Sequence, residues 1–277
     1  MVTWLAFALF ALAVWSVQRV VTKIALVRWS TPYFYRLNAA LSLIVYVPFV
    51  LFRPPDIAGL RGAFALSLLM ALTFWVTTEA TRRGPVGLVA PLTSLSPAIT
   101  ATLAIAVLGE RPPSLALVGI GGSVLAGGLL AYRPAAPGAL AGWLGLALVS
   151  LALQGFGAFF AKVVVTGPGP TDLLVTSAAV QLAVGAFIAR REPIATERLS
   201  SRAGLVTALI LVMAAVATIG YLYALSEGPA SVIVPLVATS PALGGLLGIL
   251  LLRERATGRQ LAGIALGASA ALLLASA

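Results

Sequence analysis

Few side chains in this sequence have the types and spacing needed for acid–base or metal chemistry. The chain contains neither His nor Cys, which excludes the commonest zinc ligands, thiol nucleophiles and the Ser-His-Asp triad. Glu79, in the run FWVTTEATRRG, lies deepest among the carboxylates, and it could act in a site or pair locally with Arg82 or Arg83. Lys23 could face a solute or extend to a membrane surface. We therefore predict no catalytic residue, no metal site and no cofactor.

Neutral polar and aromatic side chains recur at helical spacing and could bind a solute. Trp15, Arg19 and Lys23 share one face of a helix, with Gln18 on the adjoining stripe, and Trp75, Thr78, Glu79 and Arg82 form a stripe on another helix. Such a stripe either lines a cavity or packs against neighbouring helices. We favour the cavity for Gln18, because its amide extends to an interface less easily than Arg or Lys. Tyr221 could anchor a membrane interface, but we favour a place in the cavity wall.

The composition indicates the environment that surrounds these side chains. Of the 277 residues, 60% are hydrophobic and 9% charged, and the mean hydropathy is +1.06, whereas a soluble domain carries about 25% charged residues. The chain cannot cover a water-exposed surface, so the lipid bilayer is its expected partner. The net charge of +10 comes from basic residues scattered through short loops, which indicates membrane topology and not nucleic-acid binding.

Apolar runs long enough to cross a bilayer occur ten times. A crossing needs about 20 residues, and the runs, cut at charges and Gly/Pro clusters, are 3–27, 31–52, 62–81, 86–108, 114–131, 140–162, 171–189, 203–224, 230–252 and 258–276. The first run lacks a basic leader and continues to Val21, so we expect a membrane helix there and not a cleaved signal peptide. The predicted fold class is an all-α integral membrane protein with ten transmembrane helices.

The sequence also contains an internal duplication. Residues 84–111 and 228–255 are identical at 12 of 28 positions, with an offset of 144 residues and no gap. Nearer the N-terminus the offset is 139, which aligns Lys23 with Lys162. The five-residue difference lies in the intervening loops, so the two offsets together support an internal duplication.

Each copy holds five of the ten runs. We predict a first repeat over 1–133 and a second over 134–277, joined in one compact bundle. Because five is odd, the second repeat enters the membrane in the opposite orientation. Inverted repeats of this kind are typical of secondary transporters, which bind their substrates near the membrane midplane between the halves.

Each repeat carries three prolines six residues apart in an apolar run: Pro85, Pro91 and Pro97, then Pro229, Pro235 and Pro241. A proline within a helix frees a carbonyl group and bends the helix. Neighbouring hydroxyls could satisfy the freed groups: Thr93, Ser94 and Ser96, and Thr239 and Ser240. The duplicated pattern favours bent segments lining a cavity over kinks that only aid packing. It leaves open whether four of these residues are moving hinges or fixed kinks: Pro91, Pro97, Pro235 and Pro241.

Two further features have structural interpretations. Glu110, in LGERP at a helix end, is expected to stabilise a tight turn and to pair with Arg111, and Glu254 in LRERA likewise with Arg255. Glycines four residues apart, such as Gly263 and Gly267, suit the close packing of helices in lipid.

The duplicated motifs together resemble the EamA-type drug/metabolite transporter superfamily. They are WSVQRVVTK at the end of the first run, LGER after the fourth and LRER after the ninth, and the resemblance covers essentially the whole chain. Within this superfamily, the YddG-like exporters of aromatic and other amino acids are a narrower match. The resemblance implies a central cavity with a defined lining: Trp15, Gln18, Trp75, Thr78, Thr93, Ser96, Gln154, Tyr221 and Ser240.

The resemblance also implies a function. The expected protein is a secondary transporter, not an enzyme, that acts as a monomer in the inner cell membrane. It would export small organic metabolites, most of all amino acids including aromatic ones, by alternating access. An exporter of drugs or organic cations is the alternative, and a lipid-modifying enzyme is disfavoured because no cluster of acids, bases or metal ligands is visible.

The sequence departs from the superfamily pattern in two ways. Arg19 stands where relatives usually carry an apolar residue, so its orientation is open. The first-helix Glu of the small multidrug relatives is absent, which argues against their proton-antiport mechanism. We therefore expect no obligatory proton coupling through a central carboxylate.

The basic residues and the resemblance disagree on orientation. Thirteen Lys and Arg residues lie on the face reached after odd-numbered runs and four on the other, which places both termini outside the cell. The resemblance implies both termini inside. We favour the charge count, and a C-terminal reporter fusion would decide between the two.

Overall fold

The computed structural model describes residues 3–26, 31–52, 55, 57–83, 89, 92–131, 143–166, 169–189, 201–252 and 256–277. A few side chains within these ranges also lie outside the description, among them those of Lys23 and Thr78, and Pro91 falls between two ranges. The predictions made for these three residues therefore concern parts of the chain that the structure does not describe.

The described residues form eleven helices: α1 (Thr3–Leu26), α2 (Thr31–Phe52), α3 (Ile57–Arg83), α4 (Ser96–Val107), α5 (Ser114–Ala131), α6 (Trp143–Thr166), α7 (Pro170–Ala189), α8 (Arg202–Glu227), α9 (Ala230–Val237), α10 (Ser240–Leu252) and α11 (Gly258–Ala275). Seven stretches are long and apolar enough to cross a membrane, with α9 and α10 counted as one, and three shorter apolar stretches lie in α1, α2 and α4. The helices thus correspond to the ten predicted runs.

The proline-containing runs are interrupted where the duplicated pattern predicts a bend. In the ninth run a turn at residues 238–239 separates α9 from α10, and Pro241 is the second residue of α10. Pro97 has the same place in α4. A proline in the first turn of a helix is tolerated, because the N–H that it lacks would have no partner within the helix. Pro235 instead lies inside α9.

Reciprocal glycine contacts join the last helix of each repeat. A Cβ atom added at Gly119 of α5 would lie 2.7 Å from Leu274 Cγ of α11, and one added at Gly263 of α11 would lie 2.9 Å from Leu130 Cγ of α5. The repeat offset of 144 converts Gly119 into Gly263 and Leu130 into Leu274. The two contacts are therefore equivalent, and they hold α5 and α11 antiparallel at close range.

Other helix pairs obey the same symmetry. The contact of α1 with α8 corresponds to that of α6 with α3, and the contact of α2 with α8 to that of α7 with α3. Helices α2 and α7, themselves equivalent, pack on each other. This packing confirms the predicted all-α fold with ten membrane helices in two inverted repeats.

Substitution of Gly267 by Ala should destabilise the bundle, because the new Cβ would overlap Ala242 Cβ on α10, an atom that cannot rotate away. We expect a loss of about 1–3 kcal/mol from overpacking, measured as a lower unfolding temperature in detergent. Gly121→Ala is the control, since its Cβ would meet nothing within 4 Å. Equal unfolding temperatures for the two variants would contradict the close contact.

Candidate functional site

Two adjoining cavities lie between the repeats, and both are lined by Ser96 and Gln154. The larger, of about 440 Å³, also contacts Thr93, Pro97 and Pro241. It reaches Leu130 and Ala131 at the end of α5, so it extends towards the end of the bundle where α5 finishes. The smaller, of about 270 Å³, lies between α3, α6 and α8. Together they have the volume of a small-molecule site.

A chain of hydrogen bonds between α3 and α6 holds Gln154. Its Nε2 donates to Ser150 Oγ at 3.0 Å and to Thr77 Oγ1 at 3.4 Å. The two hydroxyls lie 2.5 Å apart, and Thr77 donates to the backbone carbonyl of Thr73 at 2.7 Å. The amide therefore has a defined orientation at the cavity wall.

An aromatic pair closes the other side of the smaller cavity. The rings of Trp15 on α1 and Tyr221 on α8 have centroids 5.2 Å apart and are tilted by 55°, a favourable aromatic geometry. Tyr221 lines the smaller cavity, which it shares with Gln154, whereas Trp15 lines a separate chamber behind the pair. The pair is thus a partition between the smaller cavity and this chamber.

The chamber behind this partition has a volume of about 150 Å³ and contains Gln18. Its wall is rich in neutral amides and hydroxyls from four helices: Gln18, Asn38, Ser42, Tyr46, Ser177, Gln181 and Thr218. The hydroxyl of Tyr46 bonds to the side chains of Ser42 and Thr218. The prediction for Gln18 placed it in the central cavity, whereas the structure places it in this side chamber.

Several predicted residues lie away from the two central cavities. Trp75 is 54% exposed on the outside of α3, and Ser240 is 2% exposed within the bundle. Because Trp75 lies about 200° around the helix from Thr73 and from Thr77, which face the smaller cavity and α6, its ring points away from both. Glu79 pairs with Arg83 at 2.5 Å, the local salt bridge that was one of its two interpretations. Whether any of these residues binds a substrate stays a prediction.

The structure corrects the expectation for Glu110, which was assigned to its own turn and to Arg111. Its two carboxylate oxygens accept hydrogen bonds from the backbone N–H groups of Ala230 and Ser231, both at 2.8 Å. These are the first residues of α9, in the other repeat. A carboxylate at this position satisfies free donors and interacts favourably with the helix dipole.

Lys162, nearby, binds backbone carbonyl groups where Glu110 binds backbone N–H groups. Its Nζ donates to the carbonyl oxygens of Leu225 at 2.6 Å and Gly228 at 2.9 Å, at the end of α8. Sequence spacing alone could not identify either contact, because the partners lie at least 63 residues away in the chain. The alignment of Lys162 with Lys23 and of Glu110 with Glu254 was the one available signal.

These contacts join helices at one end of the bundle, which we call the terminal end because α1 begins there. Thr3 donates to Glu227 at 3.3 Å, and Trp4 packs on Gly228 so tightly that a Cβ there would lie 2.6 Å from its ring. An outer cavity of about 580 Å³, lined by Glu110, Lys162 and Glu227, lies at this end. This outer cavity contains Gly228 and Pro229 of the α8–α9 junction, and it shares none of its described lining residues with the two central cavities.

Comparison with known proteins gives one family. The model of the EamA-like transporter family matches residues 2–132 and, again, residues 141–276. Among solved structures, 29 chains match; one crystal structure has a TM-score of 0.77 at 17% identity, covering 98% of this chain and 95% of that one. At this identity the likeness concerns the fold alone. No curated protein matches the chain at a significant level.

Proposed function

Because this chain belongs to the EamA-like transporter family, a family of multi-pass membrane transporters, we propose that it exports small organic metabolites, most of all amino acids, across the inner membrane by alternating access. The observation that carries the proposal is the pair of cavities between the repeats, where Gln154 and Ser96 face Tyr221. Such a site offers hydrogen bonds to a polar group and ring surface to an apolar one.

The proposed mechanism rests on the difference between the two ends of the helix bundle. We infer that Glu110 and Lys162 hold the terminal end closed through their hydrogen bonds, whereas the larger cavity extends towards the opposite end. A substrate enters from the opposite end and leaves when the contacts of the α8–α9 junction break. The turn between α9 and α10 is the place where one half of that segment can tilt while the other stays packed.

Alternating access requires that the two states differ by only a few kcal/mol. The Glu110 contacts are suited to this role because they are few, polar and made between the repeats. We propose that they stabilise the state closed at the terminal end and are absent from the other state. Pro97 and Pro241 then serve as fixed starts of rigid helices, and the hinge lies in the turns that precede them.

Glu79→Gln is expected to leave the pH dependence of transport unchanged, since Glu79 pairs with Arg83 at the end of α3 and is not in the lining given above for either central cavity. The measurement is counterflow in liposomes over a range of pH, with the wild type reconstituted in parallel. A pH profile that flattens in the variant would identify Glu79 as a proton carrier and contradict our expectation of no obligatory proton coupling.

The second candidate function is export of organic cations, which the Trp15–Tyr221 pair favours through cation–π attraction. A counterflow screen in liposomes across amino acids, sugars, nucleobases and lipophilic cations distinguishes the two. Saturable exchange of amino acids supports our proposal, and exchange of lipophilic cations alone supports the second candidate. A protein that exchanges none of these solutes would refute the transport proposal.

A further inference from the structure

The hydrogen bonds around Gln154 determine which end of its amide faces the cavity. Thr77 has one hydroxyl proton, and it is donated to the carbonyl of Thr73. In the contact between the two hydroxyls, Ser150 must therefore be the donor. Both oxygens are then left as acceptors towards Gln154, and only the NH₂ group of the amide can satisfy them.

This orientation leaves Gln154 Oε1 without a donor among the described residues, since both hydrogen bonds of this side chain are made by Nε2. The side chain lines both central cavities. A carbonyl oxygen held in this way is a preorganised acceptor for an N–H group of a ligand. Within the described lining of both cavities there is no Asp or Glu, so the site offers this neutral acceptor in place of a carboxylate.

The side of the smaller cavity opposite Gln154 is formed by symmetry-equivalent positions of the inverted repeat, and these positions carry different side chains. The offset of 139 aligns Trp15 with Gln154, and the offset of 144 aligns Thr77 with Tyr221. The contact of Trp15 with Tyr221 is thus the symmetry equivalent of the contact of Gln154 with Thr77. A symmetric scaffold carries hydrogen-bonding groups on one side and aromatic rings on the other.

We propose that Gln154 Oε1 accepts a hydrogen bond from the ammonium group of a zwitterionic amino acid, while the Trp15–Tyr221 side receives its apolar part. This inference rests on the proposed function and narrows it. A bare organic cation would lack a carboxylate partner in this site, and buried charges require one. A zwitterion carries its own counter-charge, so its ammonium group needs an oriented acceptor and not a carboxylate of the protein.

The test compares phenylalanine with its N,N,N-trimethyl derivative, which keeps both charges but has no N–H donor. Counterflow in liposomes and thermal stabilisation in detergent report transport and binding. For Gln154→Leu we expect the apparent affinity for phenylalanine to fall about tenfold or more, the effect of losing a hydrogen bond to a charged group. The affinity for the trimethyl derivative should stay within about twofold of the wild type.

Ser150 serves as a positioning residue. Its variants distinguish a change in the orientation of the Gln154 amide from a general loss of binding. In Ser150→Ala the amide loses the nearer of the two acceptors that hold its nitrogen, so preference for phenylalanine over the trimethyl derivative should decrease. Ser150→Thr restores a hydroxyl and should restore the preference. Gln181→Leu, which removes an amide from the side chamber, should keep the wild-type preference.

The outcomes distinguish this inference from the proposed function. If the wild type transports amino acids but Gln154→Leu lowers the affinity for both ligands equally, the inference is wrong and the transport function stands. If the wild type favours the trimethyl derivative, the acceptor role is likewise wrong. If it neither binds nor transports phenylalanine or any other amino acid, both proposals fail.

Discussion

Glu110→Ala is expected to open the terminal end of the bundle. The carboxylate accepts two charge-assisted hydrogen bonds from the first N–H groups of α9, and bonds of this class are each worth about 1.5–3 kcal/mol. Without the carboxylate the two N–H groups lose their partner in this state. We expect the equilibrium to shift by roughly a hundredfold towards states open at this end.

The absence of native cysteine makes this shift measurable. A single cysteine introduced at Ala158, in the wall of the smaller cavity, reports access for a thiol reagent that cannot cross the membrane. In Glu110→Ala, labelling from the terminal end should accelerate at least about tenfold over the reporter protein alone. Glu227→Gln is the matched control, because it removes a carboxylate charge from the same outer cavity, keeps an oxygen that can accept from Thr3 and leaves the α9 contacts intact. Equal labelling rates in all three proteins would refute the closing role of Glu110.

Trp15→Ala is the second substitution with a large expected effect. It removes one member of the aromatic partition and joins the side chamber to the smaller cavity. Truncation of a well-packed Trp lowers the free energy of unfolding by about 3–5 kcal/mol. Because Trp15 is partly buried, we expect a decrease at the lower end of this range. We also expect counterflow of amino acids to fall at least about tenfold, because a loss of stability of this size also weakens the binding site.

Two variants make this result interpretable. Trp15→Phe retains a ring against Tyr221 and should keep most of the transport rate. Phe64→Ala removes an aromatic ring that is 51% exposed on α3 and should leave the rate close to that of the wild type. Rates are compared per amount of folded protein, with unfolding temperatures measured in the same detergent. Wild-type transport by Trp15→Ala would exclude the aromatic pair from the substrate path.

The fold was predictable from the sequence to a large extent because membrane helices depend on local composition. Runs of apolar residues predicted the ten segments, the 144-residue offset predicted the duplication, and the odd number of segments in each repeat predicted the inverted arrangement. The prolines predicted where the ninth segment breaks, since Pro241 lacks the N–H that a continuous helix would need. Each of these inferences required only neighbouring residues or the comparison of two stretches of chain.

The candidate site was predictable only in part. Ser96, Gln154 and Tyr221 do meet at one cavity, but Gln18 occupies a separate chamber and Trp75 faces outward. Helical spacing shows which residues share a face, but it does not show what that face contacts. In lipid the problem is sharper than in water, because an aromatic residue suits the outer surface as well as the core.

The sequence by itself determined the class of protein, the number of membrane helices, the duplication and the inverted symmetry, because hydropathy and repeats are properties of the chain. Only the tertiary structure decided that Glu110 caps a helix of the other repeat, that Ser150 and Thr77 orient Gln154, and that an aromatic pair stands at the equivalent position. Each of these depends on atoms from helices distant in the chain. Hydrogen bonds and ring contacts act over a few ångströms, so their partners are known only when the helices have packed.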